Sequence, residues 1–223
     1  MRLIVIDASP INGGPASYAV DVAASSAEKA GAEVVRVCLY DVLNYACPHC
    51  GACLDTGRCA KRDGLINHAC KIMAMADALV VGAPAKLSAG SSSAAAMIRR
   101  FLGAYAGVSS VRGARRSGSL AQGKRAAVLP SGGFGGFAAA AAGLGVAGAA
   151  KRLLSEAGVE MMPTTYIPAQ FTTASTRDIT REAAEKLARR LIAPEMPVKP
   201  AEHAGRRRAE REARMAAGAK ASI

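Results

Sequence analysis

The chain has 223 residues, 51% hydrophobic but only 4% aromatic and without Trp, enough for one sizeable core built from Ala, Val, Leu, Ile and Met. No run reaches the ~18–20 uninterrupted apolar residues of a membrane span, and Met1-Arg2-Leu3-Ile4-Val5-Ile6 meets Asp7 too early for a secretory signal. The net charge of +12 is concentrated at Arg112, Arg115, Arg116, Lys124 and Arg125 and in the tail, with no aromatic residue interleaved; this points away from nucleic acid and towards a solvated surface or an anionic protein partner.

In chain order, Leu3 to Ile6 reads as a strand buried on both faces, as in a parallel sheet. The turn-rich segment Asp7 to Pro15 follows, and Pro15 suits the first position of a helix running to about Ala30 and stopped by Gly31. Glu33 to Leu39 is a second strand, Tyr40 to Gly64 a loop, and Leu65 to Ala76 a helix with apolar residues on one face. Ala78 to Val81 is a third buried strand, delivering Gly82-Ala83-Pro84-Ala85-Lys86. A helix begins near Ser91 and passes through Met97, Ile98 and Leu102; Gly107 to Gly123 is a basic loop. Arg125 to Leu129 is a fourth strand ending in Pro130-Ser131-Gly132-Gly133-Phe134-Gly135-Gly136, then one long helix runs to about Ala157. A fifth strand near Val159 to Met162 and a last helix, Thr180 to Ile192, complete the alternation. Strands separated by helices predict an α/β fold, a doubly wound five-stranded parallel sheet with a cysteine loop inserted after the second strand. The domain is expected to span 1–193, with 194–223 a basic Pro/Ala/Arg-rich tail, either a solvated helix or disordered.

The most specific signal is Cys47-Pro48-His49-Cys50-Gly51-Ala52-Cys53, followed by Cys59. Disulfides within so short a loop would be severely strained. The repeated two-residue spacing is instead that of cysteines around an iron–sulfur cluster, with Cys59 expected to close the same cluster. A structural zinc site is the alternative, although it usually takes its thiolates as two separated pairs. Ordinary buried thiols suit Cys38 and Cys70, which lie in apolar runs, better than this polar loop. A metal-binding cysteine cluster belongs in a reducing compartment, so a cytoplasmic protein is expected.

Three strand-end segments converge on one sheet edge, where open parallel sheets bind ligands. In Ser9 to Ser17, Gly13 and Gly14 precede a helix start and can turn backbone N–H groups towards an anion, with Ser9 and Ser17 adding hydroxyls. The other segments are Gly82 to Gly90 and Pro130 to Gly136, whose glycines let backbone approach a flat ligand. Neither G-x-G-x-x-G nor a Walker sequence is present in the first segment, so a dinucleotide or a nucleoside triphosphate is not indicated there.

The strand ending in Ser9-Pro10, the C-x2-C-x2-C-x5-C loop, Gly82-Ala83-Pro84 and the glycine-rich segment after the fourth strand resemble the flavodoxin-fold iron–sulfur flavoproteins. These are relatives of the NAD(P)H-dependent FMN reductases, and the resemblance covers residues 1 to about 193. It implies a [4Fe–4S] cluster on Cys47, Cys50, Cys53 and Cys59. It also implies FMN, its phosphate held by Ser9, Asn12, Gly13, Gly14 and Ser17 and its ring bordered by Pro84, Ala85, Lys86, Ser131, Gly132 and Gly133. The function implied is electron transfer between FMN and the cluster, in a homodimer or homotetramer, fed by a redox partner protein or NAD(P)H. No catalytic acid, base or nucleophile stands out. The chain departs from the family at its phosphate loop, S-P-R-x-x-G-N-T, where Ile11 replaces the Arg and Pro15-Ala16 replace Asn-Thr, and at Lys86, which stands where an aromatic is usual. These departures bear on FMN affinity. The alternatives are a flavin-free iron–sulfur or zinc relay subunit, or a plain NAD(P)H-dependent FMN or quinone reductase.

Overall fold

The computed structural model describes residues 1–9, 13–39, 71–85, 98–99, 101–102, 123–133, 138, 141, 144–170 and 173–193. The cysteine loop, Asn12, Lys86 and the tail from 194 lie outside the described residues. The chain divides into two compact units, Met1–Ile192 and Ala193–Ile223.

Alternating apolar side chains on continuous hydrophobic strands give the sheet two buried faces. Strand β1 (Arg2–Asp7) sends Leu3 and Val5 into one apolar cluster and Ile4 and Ile6 into another, all of them fully buried. Its neighbours are β2 (Glu33–Cys38) and β3 (Ala78–Pro84), and β3 pairs in turn with β4 (Arg125–Gly132). Helices α1 (Pro15–Lys29) and α3 (Ala174–Ile192) pack Val20, Ala24, Leu187 and Leu191 with the Leu3 face. Helix α2 (Gly145–Glu156), with Ile98, Phe101 and Leu102, covers the Ile4 face through Val146, Ala150 and Leu154. The strand order β2-β1-β3-β4-β5, with every pairing parallel, is the flavodoxin-like doubly wound order. The expected fold class is what the chain adopts.

Several details differ from the sequence expectation. Among the described residues the sheet has six strands, not five: β5 is only Glu160–Met161, beside the start of β4, and β6 (Ile167–Pro168) pairs with its end. Two residues carry no period to read, yet burial of Ile167 holds β6 in place. Strands β3 and β4 each run three residues beyond their expected ends at Val81 and Leu129, through Pro84 and Gly132. The single long helix expected up to Ala157 is interrupted, because Gly145 has φ 67°, outside the right-handed helical region. Helix α3 begins at Ala174 rather than Thr180. Thr173 and Thr176 tie its start: the Thr176 N–H donates to Thr173 Oγ1 at 3.2 Å and the Thr173 N–H to Thr176 Oγ1 at 3.3 Å.

Candidate functional site at the carboxyl edge of the sheet

Parallel register brings three of the strand ends to one level. Asp7 is opposite Gly82, Ala83 opposite Pro130, and Pro84 opposite Ser131. Hydrogen bonds lock the ends together: the Ala8 N–H donates to the Gly82 carbonyl at 2.9 Å, and the Ala85 N–H to the Ser131 carbonyl at 2.7 Å. Asp7 Oδ1 accepts the Ser9 N–H at 2.8 Å, a local turn that leads the chain out of β1. Strand order reverses between β1 and β3, the position at which open parallel sheets bind their ligands.

Helix α1 starts at this edge. Gly13 adopts φ 72° and Gly14 is the N-cap, with no side-chain hydrogen bond to the first turn. Pro15 has no N–H, and the amides of Gly14, Ala16 and Ser17 have no helical acceptor by virtue of their position. No acidic residue stands in that turn. Ser17 is 4% exposed. The helix is held close because β3 carries glycine at 82: a Cβ there would lie 2.2 Å from Val20 Cγ2 and 3.0 Å from the Ala16 carbonyl. Strand β4 ends in Gly132, buried, and Gly133, exposed, where a Cβ would meet nothing within 4 Å.

Ser9, Gly13, Gly14, Ser17, Pro84, Ala85, Ser131, Gly132 and Gly133 therefore share the carboxyl edge, on β-strand ends and one helix start. Pro84, Ser131 and Gly132 belong to strands, not to loops as expected. Two contributors escaped the sequence reading. Strand β6 places Ile167 and Pro168 opposite Ser131 and Gly132, and so leads Ala169 and Gln170 out at the same edge. The early start of α3 sets Arg177 over the Tyr18 ring of α1, its guanidinium carbon 4.9 Å from the ring centroid. The threonines around 173 were the available signal for that helix start.

The opposite edge corrects one sequence expectation. Lys124 is not part of a surface cation patch: it is 9% exposed, and its Nζ donates to the carbonyls of Met73 (3.3 Å), Ala74 (2.7 Å) and Ala76. Burial pushes its pKa below the ordinary lysine value, and Asp77 partly opposes that shift. Among the described residues, no three His, Cys, Asp or Glu side chains are grouped to hold a metal ion; Cys47, Cys50, Cys53 and Cys59 lie outside them. No helix of the described residues is long and apolar enough to cross a membrane.

The sequence pattern of NADPH-dependent FMN reductases matches residues 1–173. The chain belongs to this family. A comparison with curated proteins gave no match. Among solved structures, an NAD(P)H:quinone oxidoreductase from Methanothermobacter marburgensis superposes with a TM-score of 0.61 at 17% identity, covering 87% of this chain and 98% of that one. An azoreductase from Bacillus anthracis str. Sterne gives a TM-score of 0.61 at 16% identity, with 85% and 99% covered. An FMN-dependent NADH-azoreductase from Bacillus anthracis str. Ames Ancestor, in complex with FMN, gives 0.56 at 15% identity, with 86% and 100% covered. At these identities the structural likenesses establish a shared fold.

Proposed function

We propose that the chain is an NAD(P)H-dependent flavin reductase that holds FMN across the carboxyl edge of its sheet and passes the electrons to a quinone-like or protein acceptor. The observation that carries this reading is the family match over residues 1–173. The edge suits the cofactor. A phosphate monoester dianion fits a helix start that has a glycine N-cap, no side-chain cap hydrogen bond and no first-turn carboxylate. Bound FMN would supply the chemistry that accepts a hydride as an electron pair.

The protein's share is binding and positioning. Gly14, Ala16 and Ser17 would donate backbone N–H groups to the phosphate, and the Ser17 hydroxyl a further bond. Ser9, Gly13 and Asn12 would complete that loop. Pro84 and Ala85 on one side and Ser131, Gly132 and Gly133 on the other would border the ring, with Gly133 leaving room for a flat ligand. Lys86 would set its charge beside the ring and favour the anionic reduced flavin. The test is to purify the protein, extract and quantify flavin, and follow NADPH and NADH oxidation with benzoquinone as acceptor. Bound or readily reconstituted FMN with acceptor-dependent turnover supports the reading. A folded protein that neither retains nor takes up FMN contradicts it.

The cysteine spacing favours a second element within the same reading: Cys47, Cys50, Cys53 and Cys59 holding a [4Fe–4S] cluster that relays electrons singly, in a homodimer or homotetramer. Anaerobic purification with iron, acid-labile sulfide and zinc analysis decides it. Iron and sulfide lost together in Cys50→Ala support the cluster. Zinc in their place, or no metal, leaves a plain reductase.

A further inference from the structure

We propose that the outer strand of the sheet, β5 with β6, carries a built-in guard against pairing with the sheet edge of a second copy of this chain: one surplus residue between Met162 and Ile167, together with Pro163 and Pro168. Among the described residues, β5 and β6 occupy the last position of the sheet, beyond β4. From Ala126 to Ser131, β4 advances five residues, whereas their partners Met161 and Ile167 are six apart. The register gives residues 127–130 of β4 no partner in that outer strand. The two short stretches are thus one strand interrupted by a bulge. Side-chain placement agrees. In an unbroken strand, residues six apart share a face, yet Met161 packs with the Ile4 cluster and Ile167 lies in the Leu3 cluster.

The backbone shows where the interruption acts. The Glu160 N–H donates to the Lys124 carbonyl at 2.9 Å and the Met162 N–H to the Ala126 carbonyl at 2.7 Å, so even-numbered residues of β4 turn their groups to the outer strand. Odd-numbered ones turn to β3, where the Ser131 carbonyl accepts from Ala85. Pro130 therefore lacks its N–H on the side of the outer strand, and the ladder with β3 loses nothing by it. By the same alternation Pro168, next to the inward-paired Ile167, lacks its N–H on the outermost side.

The local sequence explains why a guard is needed. Thr164-Thr165-Tyr166-Ile167 is entirely β-branched or aromatic, and residues 161–176 contain no Asp, Glu, Lys or Arg. An uncharged, β-prone run at a sheet edge is a template for another chain's strand. Pro163 and Tyr166 are exposed, so this run reaches the surface. The edge strand at the other side of the sheet, β2, instead presents the exposed charges Glu33 and Arg36. One edge is blunted by charge, the other by a bulge between two prolines.

Two single-residue deletions restore the five-residue spacing and differ only in what then faces outward. Deleting Pro163 leaves the backbone groups of Thr164 on the outer side, whereas deleting Thr164 leaves Pro163 there. The full chain and both variants are compared by analytical ultracentrifugation over a concentration series, with urea unfolding to show that each is folded. The Pro163 deletion is expected to associate beyond the parent's own assembly, with about a twofold or greater rise in mass at the highest concentration, and the Thr164 deletion to associate less. A folded Pro163 deletion that keeps the parent's mass throughout overturns the proposal. So does equal association of the two deletions, since an outward proline would then guard nothing. Amide hydrogen exchange of the parent tests the guard even where a deletion does not fold. Exchange at residues 164–166 is expected to be independent of protein concentration. Protection there that grows with concentration would show the edge already paired with a second copy, against the proposal.

Discussion

The two ends of the sheet are built differently. At the amino edge, Asp77 and Lys124 gather backbone groups from several segments. The Arg2 N–H donates to Asp77 Oδ2 at 2.7 Å, the Arg125 N–H to the Asp77 carbonyl at 3.4 Å, and Lys124 serves three carbonyls after residue 71. At the carboxyl edge α1 starts from a glycine N-cap, with no side-chain cap hydrogen bond among the described residues. Buried polar groups must find partners. Groups gathered in this way hold the fold, and under the proposed function the helix start at the other edge receives the flavin phosphate.

Changes at the amino edge should therefore cost stability and spare binding. Lys124→Met strips three carbonyls of their common donor, and about 2–4 kcal/mol of unfolding free energy should be lost in a urea titration, with FMN affinity within twofold of the parent. A loss of flavin affinity as large as the loss of stability would merge the two edges and end the comparison.

Gly82→Ala probes the join between them. The added methyl would press on Val20 and on the Ala16 carbonyl, and backbone cannot yield as a side-chain tip does. About 1–3 kcal/mol should be lost on thermal or urea unfolding, as for an overpacked core, and FMN affinity should fall with it because α1 is displaced. Wild-type stability here would mean that α1 packs less closely on β3.

Ser17→Ala should do the reverse of Lys124→Met. Its expected effect is a roughly three- to tenfold weaker FMN titration, the worth of one hydrogen bond, with an unchanged urea midpoint. The smallest effect is expected at Glu28, whose exposed carboxylate accepts from Arg36 at 2.5 Å. That hydrogen bond holds its pKa below the ordinary glutamate value. The pair's contribution is present above the ordinary range and fades as pH falls through the lowered value. Glu28→Gln should leave the melting temperature at neutral pH unresolved from the parent, as for most surface ion pairs.

How far the sequence disclosed this arrangement follows from the size of each signal. The strands Leu3 to Ile6 and Ala78 to Val81 were legible because burial on both faces makes an unbroken apolar run. The helix after Gly14 was legible because Pro15 marks a helix start. The glycines and serines of the edge could be placed once the alternation fixed which strand ends lie together. Strand β6 was illegible: Ile167–Pro168 has no period, and its position is set by pairing with the end of β4. The ends of β3 and β4 were misjudged because Gly82, Pro84 and Pro130 read as loop residues, yet the ladder between the two strands carries through them. The start of α3 was missed because its first turns carry few apolar residues, and threonine hydrogen bonds set it instead. Lys124 was read as surface charge because nothing local in Gly123-Lys124-Arg125 announces that three carbonyls far along the chain will surround it.

The most direct test of the contrast between the two edges is amide hydrogen exchange with and without FMN. The account predicts slowed exchange at residues 13–17 and 131–133 on adding FMN, with residues 73–77 and 123–126 unchanged. Unaltered exchange at 13–17 in a sample shown by fluorescence to bind FMN would contradict it.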